Sequence, residues 1–315
     1  MLTITLITKN NENTIKQCLD SIKPLKSELQ ILDIGSEDDT LKICNNFPIK
    51  NVKSNNFSTL RNQYLENTNW NLLLFPWEIL VKGHDEINLV SQTTEKLCFD
   101  VKVISNKIIN REIRLWNNKI NIKFENNIFE TLNYENSLHN PDVIIKPISK
   151  NNFNILKIIN EWKIESPISK KPHYYEAYYY LENKKYNEFI LAANNYLFID
   201  QSMNTSSLLL RYYLSMVEIY IKKDIKSGLK NILICIHENP TLPEFWCLLG
   251  DIYYQIKEYK KSISFYENAL ILGEKRELDS FPLEIKKCKE YPQKMIDNCL
   301  NILKSSNYLF APINK

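Results

Sequence analysis

The hydrophobic pattern of this 315-residue chain changes period once, near residue 150, and that change constrains the fold more than any other feature. Up to about Lys150, short apolar runs alternate with amphipathic stretches. Thr3 to Thr8 reads as a strand, and Asn13 to Ile22 as a helix that places Ile15, Cys18, Leu19 and Ile22 on one face. Leu29 to Ile34 is a second apolar run ending in Gly35-Ser36, followed by a helix from about Asp39 to Asn46. A brief strand centred on Val52, a helix over Ser58 to Asn67 and a strongly apolar strand from Trp70 to Phe75 complete the alternation. This order predicts an α/β unit with a Rossmann-like, mostly parallel sheet covered on both faces.

From about Phe153 onward the period is helical throughout. Trp246-x2-Leu249-Gly250-x2-Tyr253, then Ser262-x3-Tyr266 and Ala269, reproduces the sequence signature of a tetratricopeptide repeat. Stepping back by the repeat period of about 34 residues brings Ile219, Gly228, Ile232 and Cys235 onto Tyr253, Ser262, Tyr266 and Ala269. A looser copy runs through Ala177, Tyr180, Phe189 and Ala193, and a helical stretch from Pro282 to Leu303 would close the stack. Each helical hairpin has two apolar faces and must lean on its neighbours, with a small residue where helices approach closely. The aromatics here are therefore read as helix packing. The expected organisation is an α/β domain over residues 1–152 followed by an all-α repeat domain over 153–315.

Charge and cysteine usage narrow the function classes. The 40 basic and 37 acidic residues are mixed along the chain and leave a net +3, so no basic block points to nucleic acid. Seven cysteines are scattered without a CxxC pair, which argues against zinc and against a disulfide framework. Reduced, mostly buried thiols in a cytoplasmic protein fit this pattern. The apolar run at Leu2 to Thr8 is too short for a signal-peptide core, and no stretch has the apolar length of a membrane span.

In parallel α/β sheets ligands sit at the carboxyl ends of the strands, here Thr8 to Asn11, Asp33 to Asp39 and Phe75 to Glu78. Four ordered segments at and beyond these ends resemble the family 2 glycosyltransferases with a GT-A type fold, in the branch that carries tetratricopeptide repeats. Lys9-Asn10-Asn11-Glu12 with Cys18-Leu19-Asp20-Ser21-Ile22 is similar to that family's opening strand and helix. Asp33-Ile34-Gly35-Ser36-Glu37-Asp38-Asp39-Thr40 is similar to its D-x-G-S-x-D-x-T segment. Phe57-Ser58-x2-Arg61-Asn62-x2-Leu65 is similar to its F-x3-R-N-x2-L helix, and Arg111-x2-Arg114-Leu115 to its R-x2-R-L strand.

The resemblance implies a sugar transferred from a nucleoside-diphosphate donor to a protein, peptide or glycan acceptor recruited by the repeats. It implies a donor site at Lys9, Asn10, Asp33, Gly35, Ser36, Asp38, Arg61 and Glu78. Carboxylates at Asp33 and Asp38 would hold base and ribose, Gly35 would permit a tight turn, and Arg61 would pair with phosphate oxygens. Two have plainer alternatives: capping of the next helix for Asp38 or Asp39, and a surface ion pair for Arg61.

Two departures bear on catalysis. The family's D-x-D-E segment, whose aspartates hold a divalent manganese or magnesium ion, here reads Phe75-Pro76-Trp77-Glu78. One carboxylate does not supply the several oxygen ligands such an ion takes, so no metal-ligand set is assigned, and a manganese or magnesium cofactor is left open. The family's His-Glu position reads Ile128-Phe129-Glu130, leaving Glu130 as the candidate catalytic base without a histidine. The alternative expectation is a catalytically degenerate domain that serves as a scaffold for protein–protein interaction.

Overall fold

The computed structural model describes residues 1–309 except 55, 66–68, 106–107, 127–129, 133, 135, 150–154 and 278–280. It divides into two compact units, Met1–Pro172 and His173–Lys315. The boundary expected at 152/153 falls in a segment outside the described residues.

The first unit opens with β1 (Leu2–Thr8), α1 (Ile15–Ile22), β2 (Ser27–Asp33), α2 (Thr40–Ile43), β3 (Ile49–Asn51), α3 (Phe57–Leu65) and β4 (Trp70–Leu72). It continues with β5 (Glu78–Lys82), α4 (His84–Val90), β6 (Cys98–Ser105), β7 (Ile108–Asn117), β8 (Phe124–Glu125), β9 (Thr131–Leu132), β10 (Leu138–Pro147) and α5 (Ile155–Glu165). Its main sheet runs in the order β3-β2-β1-β4-β7-β6-β10-β5. From β3 to β4 every pairing is parallel, with Thr8 opposite Asp33 and Ile4 opposite Leu72. Beyond β4 the sheet is mixed: β7 runs antiparallel to both β4 and β6, while β10 runs parallel to β6 and antiparallel to β5. The sheet is mostly parallel, as the order of elements in the sequence predicts, with antiparallel pairings confined to the half beyond β4. The β6–β7 hairpin is a local pairing of consecutive strands, whereas the return of β10 to β6 is a long-range pairing that strand periodicity does not encode.

Burial explains the first half directly. Leu2, Ile4 and Leu6 alternate along β1 into a core that also takes Ile15, Cys18, Leu19 and Ile22 from α1. Those four helical residues are the face read from the sequence, and α1 forms because apolar side chains recur there at helical spacing. The strand expected around Val52 ends one residue short of it, although the Val52 amide still donates to the Asp33 carbonyl at 2.8 Å.

The second unit is made of helix pairs. α6 (Lys171–Glu182) begins at the boundary between units and pairs in sequence with α7 (Tyr186–Ile199). α8 (Thr205–Val217) runs into a π-helical turn (Glu218–Lys222) before α9 (Ile225–Glu238), and α10 (Pro243–Gln255) pairs with α11 (Tyr259–Gly273). α12 (Ile285–Cys288) and α13 (Glu290–Leu309) follow. The small residues expected at close approaches lie there: a Cβ on Gly228 would come within 2.5 Å of Ile219, and one on Gly250 within 2.6 Å of the Tyr266 ring. Ser262 and Ala269 are fully buried. The helical stretch expected over Pro282 to Leu303 is interrupted, with α12 and α13 separated at Lys289.

Candidate functional site

The strand order reverses across β1, whose neighbours are β2 on one side and β4 on the other. A crevice at the carboxyl ends of β1 and β4 is therefore the place where a ligand would sit in an open α/β sheet. The sequence motifs converge on this edge. Asn10 adopts a left-handed backbone, φ 52°, and Gly35 another at φ 98°, so that the loops after β1 and β2 turn toward one another.

Hydrogen bonds knit the two loops. The Asn10 amide donates to Ser36 Oγ at 3.0 Å, and the Glu37 amide donates to Asn10 Oδ1 at 2.8 Å. The Asn11 amide donates to Thr40 Oγ1 at 2.7 Å. Lys9 joins through its amide, which donates to Asn11 Oδ1 at 3.0 Å.

Asp33, expected to grip a base or ribose, is buried and turned onto its own loop. Its Oδ2 accepts from the amides of Gly35 at 2.9 Å and Ser36 at 3.0 Å, and its Oδ1 accepts from the Ser36 hydroxyl. Asp38 accepts from the Thr40 amide at 3.0 Å and the Glu12 amide at 3.1 Å. Burial pulls the Asp38 carboxyl upward, but these hydrogen bonds from Thr40 and Glu12 outweigh it and hold the group below its ordinary value. Asp39, not Asp38, occupies the N-cap position of α2 and makes no side-chain capping bond; Asp38, one residue earlier, accepts from the amide of Thr40, the first residue of that helix.

Under the carboxyl end of β4 the remaining candidates form two buried ion pairs around one aromatic ring. Arg61 on α3 donates from Nε to Glu130 Oε1 at 2.8 Å, with side chains 4% and 3% exposed, and from Nη1 to the Thr5 carbonyl at 3.1 Å. Arg114 on β7 clasps Glu78 through two bonds of 2.9 Å, with both side chains 3% exposed, and also reaches Glu112 at 2.7 Å. The Phe75 ring lies 5.2 Å from the Arg61 guanidinium and 4.9 Å from that of Arg114. It also stacks on Trp77 at 5.1 Å with an interplanar angle of 7°. Burial pushes the Glu78 carboxyl up; Arg114 pulls it back, while Glu112, sharing the same guanidinium, adds to the rise.

The sequence motifs bring Arg61 and Glu130 separately to this site but not to each other, and Arg114 enters only as part of a strand motif. The basic spacing of Arg111 and Arg114 on β7 was the available signal. Arg111 makes a second cluster: it donates to both oxygens of buried Asp100, at 2.7 and 2.6 Å, while His139 Nδ1 lies 2.7 Å from the same carboxylate and Ser137 donates to it at 2.9 Å. Nothing in the sequence had singled out Asp100 or His139. Of the Ile128-Phe129-Glu130 segment, Ile128 and Phe129 lie outside the described residues.

A cavity of about 20 Å³ lies against Arg61, lined also by Thr3, Thr5, Asn71, Trp116 and Phe124. That is room for one water molecule, against the roughly 300 Å³ or more of a small-molecule pocket. No group of three or more His, Cys, Asp or Glu side chains among the described residues is placed to hold a metal ion. No described helix is long and apolar enough to cross a membrane.

No known family profile matches the chain, and no curated protein matches it. Among solved structures it is similar to residues 41 to the end of MamA from Desulfovibrio magneticus RS-1, at 15% identity over 48% of this chain and 84% of that one, TM-score 0.36. It is also similar to the Sgt2 TPR domain from Aspergillus fumigatus, at 12% identity over 46% and 87%, TM-score 0.36. The Arabidopsis OM64 TPR domain matches at 8% identity over 41% and 95%, TM-score 0.33. The strand order and the helix pairs by themselves define a mixed α/β unit followed by a helical repeat unit.

Proposed function

We propose that the chain works as an interaction scaffold: a glycosyltransferase-like α/β unit whose donor crevice is closed by its own side chains, carrying a repeat unit that engages a protein partner. The observation that carries this reading is the pair of interlocked ion pairs around Phe75. A donor diphosphate needs an unspent cation, and an acceptor hydroxyl needs an unspent carboxylate base. Arg61 and Glu130 meet each other's charge, as do Arg114 and Glu78, in surroundings too dry to favour opening either pair. Phe75 and Trp77 fill the positions where the resembled family has its metal-binding aspartates.

A second reading rests on the loops at the strand-order reversal, where the Asn10 and Gly35 turns are joined by hydrogen bonds through Ser36 and Glu37. On it the chain is a hexosyltransferase that stabilises the leaving diphosphate without a metal, through Lys9 and loop amides. One experiment separates the two. Calorimetry and thermal melting with a panel of UDP-, GDP-, CMP- and TDP-sugars, with and without manganese, are expected to give no heat and no change in Tm. A saturable donor-dependent rise in Tm that Asp33→Ala abolishes overturns the scaffold reading in favour of the transferase.

A further inference from the structure

A strand covered on both faces ordinarily reads as an unbroken apolar run, but β1 alternates. Leu2, Ile4 and Leu6 enter the core shared with α1, whereas Thr3 and Thr5 face the other side of the sheet. Strand register extends these polar positions into a row. Thr3 of β1 pairs with Asn71 of β4, and Asn71 pairs with Trp116 of β7. Residues paired across strands share a face, so the three side chains stand side by side. Arg61 and Leu65 of α3 and Phe124 of β8 complete the wall of the cavity of about 20 Å³.

The row carries unmet donors. Asn71 is 5% and Trp116 1% exposed, and neither Asn71 Nδ2 nor Trp116 Nε1 has a hydrogen-bond acceptor among the described residues. Burying an N–H without an acceptor is costly, and two such groups on one cavity call for a shared acceptor. The other polar groups on the wall can donate as well: the hydroxyls of Thr3 and Thr5 and the guanidinium of Arg61. No carboxylate among the described residues lines the cavity, and the Thr5 carbonyl is already taken by Arg61 Nη1 at 3.1 Å.

A water molecule would accept from Asn71 and Trp116 but would then need acceptors for its own two protons. A monoatomic anion has no proton to place. Arg61 stands on the wall itself, while its partner Glu130 is not among the lining residues, so an anion here meets the cation first.

We infer that this cavity is a halide site that takes chloride, held by Asn71 Nδ2 and Trp116 Nε1 with the Thr3 and Thr5 hydroxyls and the Arg61 guanidinium around it. The bound ion ties α3 to the β1–β4–β7 row and stabilises the first unit by mass action. The site is independent of the scaffold reading, and the nucleotide-sugar test does not bear on it.

The test melts the full chain in sodium chloride, bromide and methanesulfonate at constant ionic strength, followed by tryptophan fluorescence, since Trp70, Trp77, Trp116 and Trp162 belong to the first unit and only Trp246 to the second. Chloride and bromide are each expected to raise Tm saturably; methanesulfonate, too large for the cavity, is not. Asn71→Asp keeps the side chain's size but puts an acid in place of the amide donor, and Trp116→Phe removes the indole N–H. Each is expected to raise the half-saturating chloride concentration at least tenfold, and a halide response that a cooperatively melting Asn71→Asp variant leaves unchanged overturns the inference. Crystals of the unaltered chain grown in bromide give a reading that needs no substitution. An anomalous peak within hydrogen-bonding distance of both nitrogens is the expected result. Water density there without anomalous signal overturns the inference, as does a bromide peak without a saturable rise in Tm, which marks an adventitious ion only.

Discussion

Two buried carboxylate clusters, one around Phe75 in the first unit and one around Asp251 in the second, are neutralised by different chemistry. Around Phe75 in the first unit, Glu130 and Glu78 each face a guanidinium at 2.8 to 2.9 Å, charge against charge. In the second unit Asp251, 4% exposed, is ringed by hydroxyls: Tyr266 and Tyr291 each donate to Oδ1 at 2.6 Å, and Tyr220 donates to Oδ2. A salt bridge of the first kind holds until one partner is removed, when the survivor is left as an uncompensated buried charge. A carboxylate held by neutral phenols loses its donors one at a time, but it is exposed to any pH at which the phenols ionise.

The largest way to sharpen this contrast is pH. Burial first, and Asp251 second, push the phenols of Tyr220, Tyr266 and Tyr291 above their ordinary value. A raised phenol contributes stability that is complete below the unfolded value of about 10 and is lost as pH climbs beyond it. The repeat unit is therefore expected to melt progressively lower above pH of about 10. In the first unit burial pulls the Asp100 carboxyl up, but hydrogen bonds from Arg111, His139 and Ser137 outweigh it and hold the group below its ordinary value. Its contribution is present above the unfolded value of about 3.9 and is lost as pH falls below that. Circular dichroism melts from pH 3 to 11 should show the two units failing at opposite ends; a common alkaline limit would break the comparison.

Next in size is Glu130→Ala, which leaves Arg61 buried and unpaired and is expected to cost the first unit about 3–5 kcal/mol. The double change Arg61→Met with Glu130→Leu is expected to recover most of that in urea unfolding. Tyr266→Phe removes one of three donors to Asp251 and is expected to lower the stability of the second unit by about 1.5–3 kcal/mol, leaving the first unit's denaturant midpoint where it was. The smallest effect is that of Asp38→Ala, about 1 kcal/mol from the lost hydrogen bond to the first turn of α2. Its urea midpoint should shift without any change in slope.

Local order was legible in the sequence, and long-range order was not. Ile15, Cys18, Leu19 and Ile22 point into the core because helical spacing alone sets which side they share. Gly228 and Gly250 mark helix contacts because few other residues fit where a Cβ would meet a neighbour within 3 Å, and fully buried Ser262 marks another by donating its hydroxyl to the Gly250 carbonyl at 2.9 Å. By contrast, Arg61 and Glu130 are separated by 69 positions and Arg114 and Glu78 by 36, and no periodicity joins them. Once joined, they turn candidate phosphate and base residues into mutual partners. The break before α13 was equally hidden. It follows from the laying of residues 281–288 on Tyr212, about 70 positions earlier, and from the approach of the Cys288 carbonyl so close to Gly273 that a Cβ there would lie 1.9 Å from its oxygen.

The cysteines carry a practical consequence. All seven are free, and Cys288 alone is even partly open to solvent. Burial lifts the thiols of Cys98 and Cys235 to about 12, which keeps them protonated and inert toward alkylating reagents while the fold is closed. Cys18, Cys44 and Cys98 belong to one unit, and Cys235, Cys247 and Cys299 to the other. A timed pulse of iodoacetamide, read peptide by peptide in a mass spectrometer, therefore turns the chain into its own recorder of which half opens first.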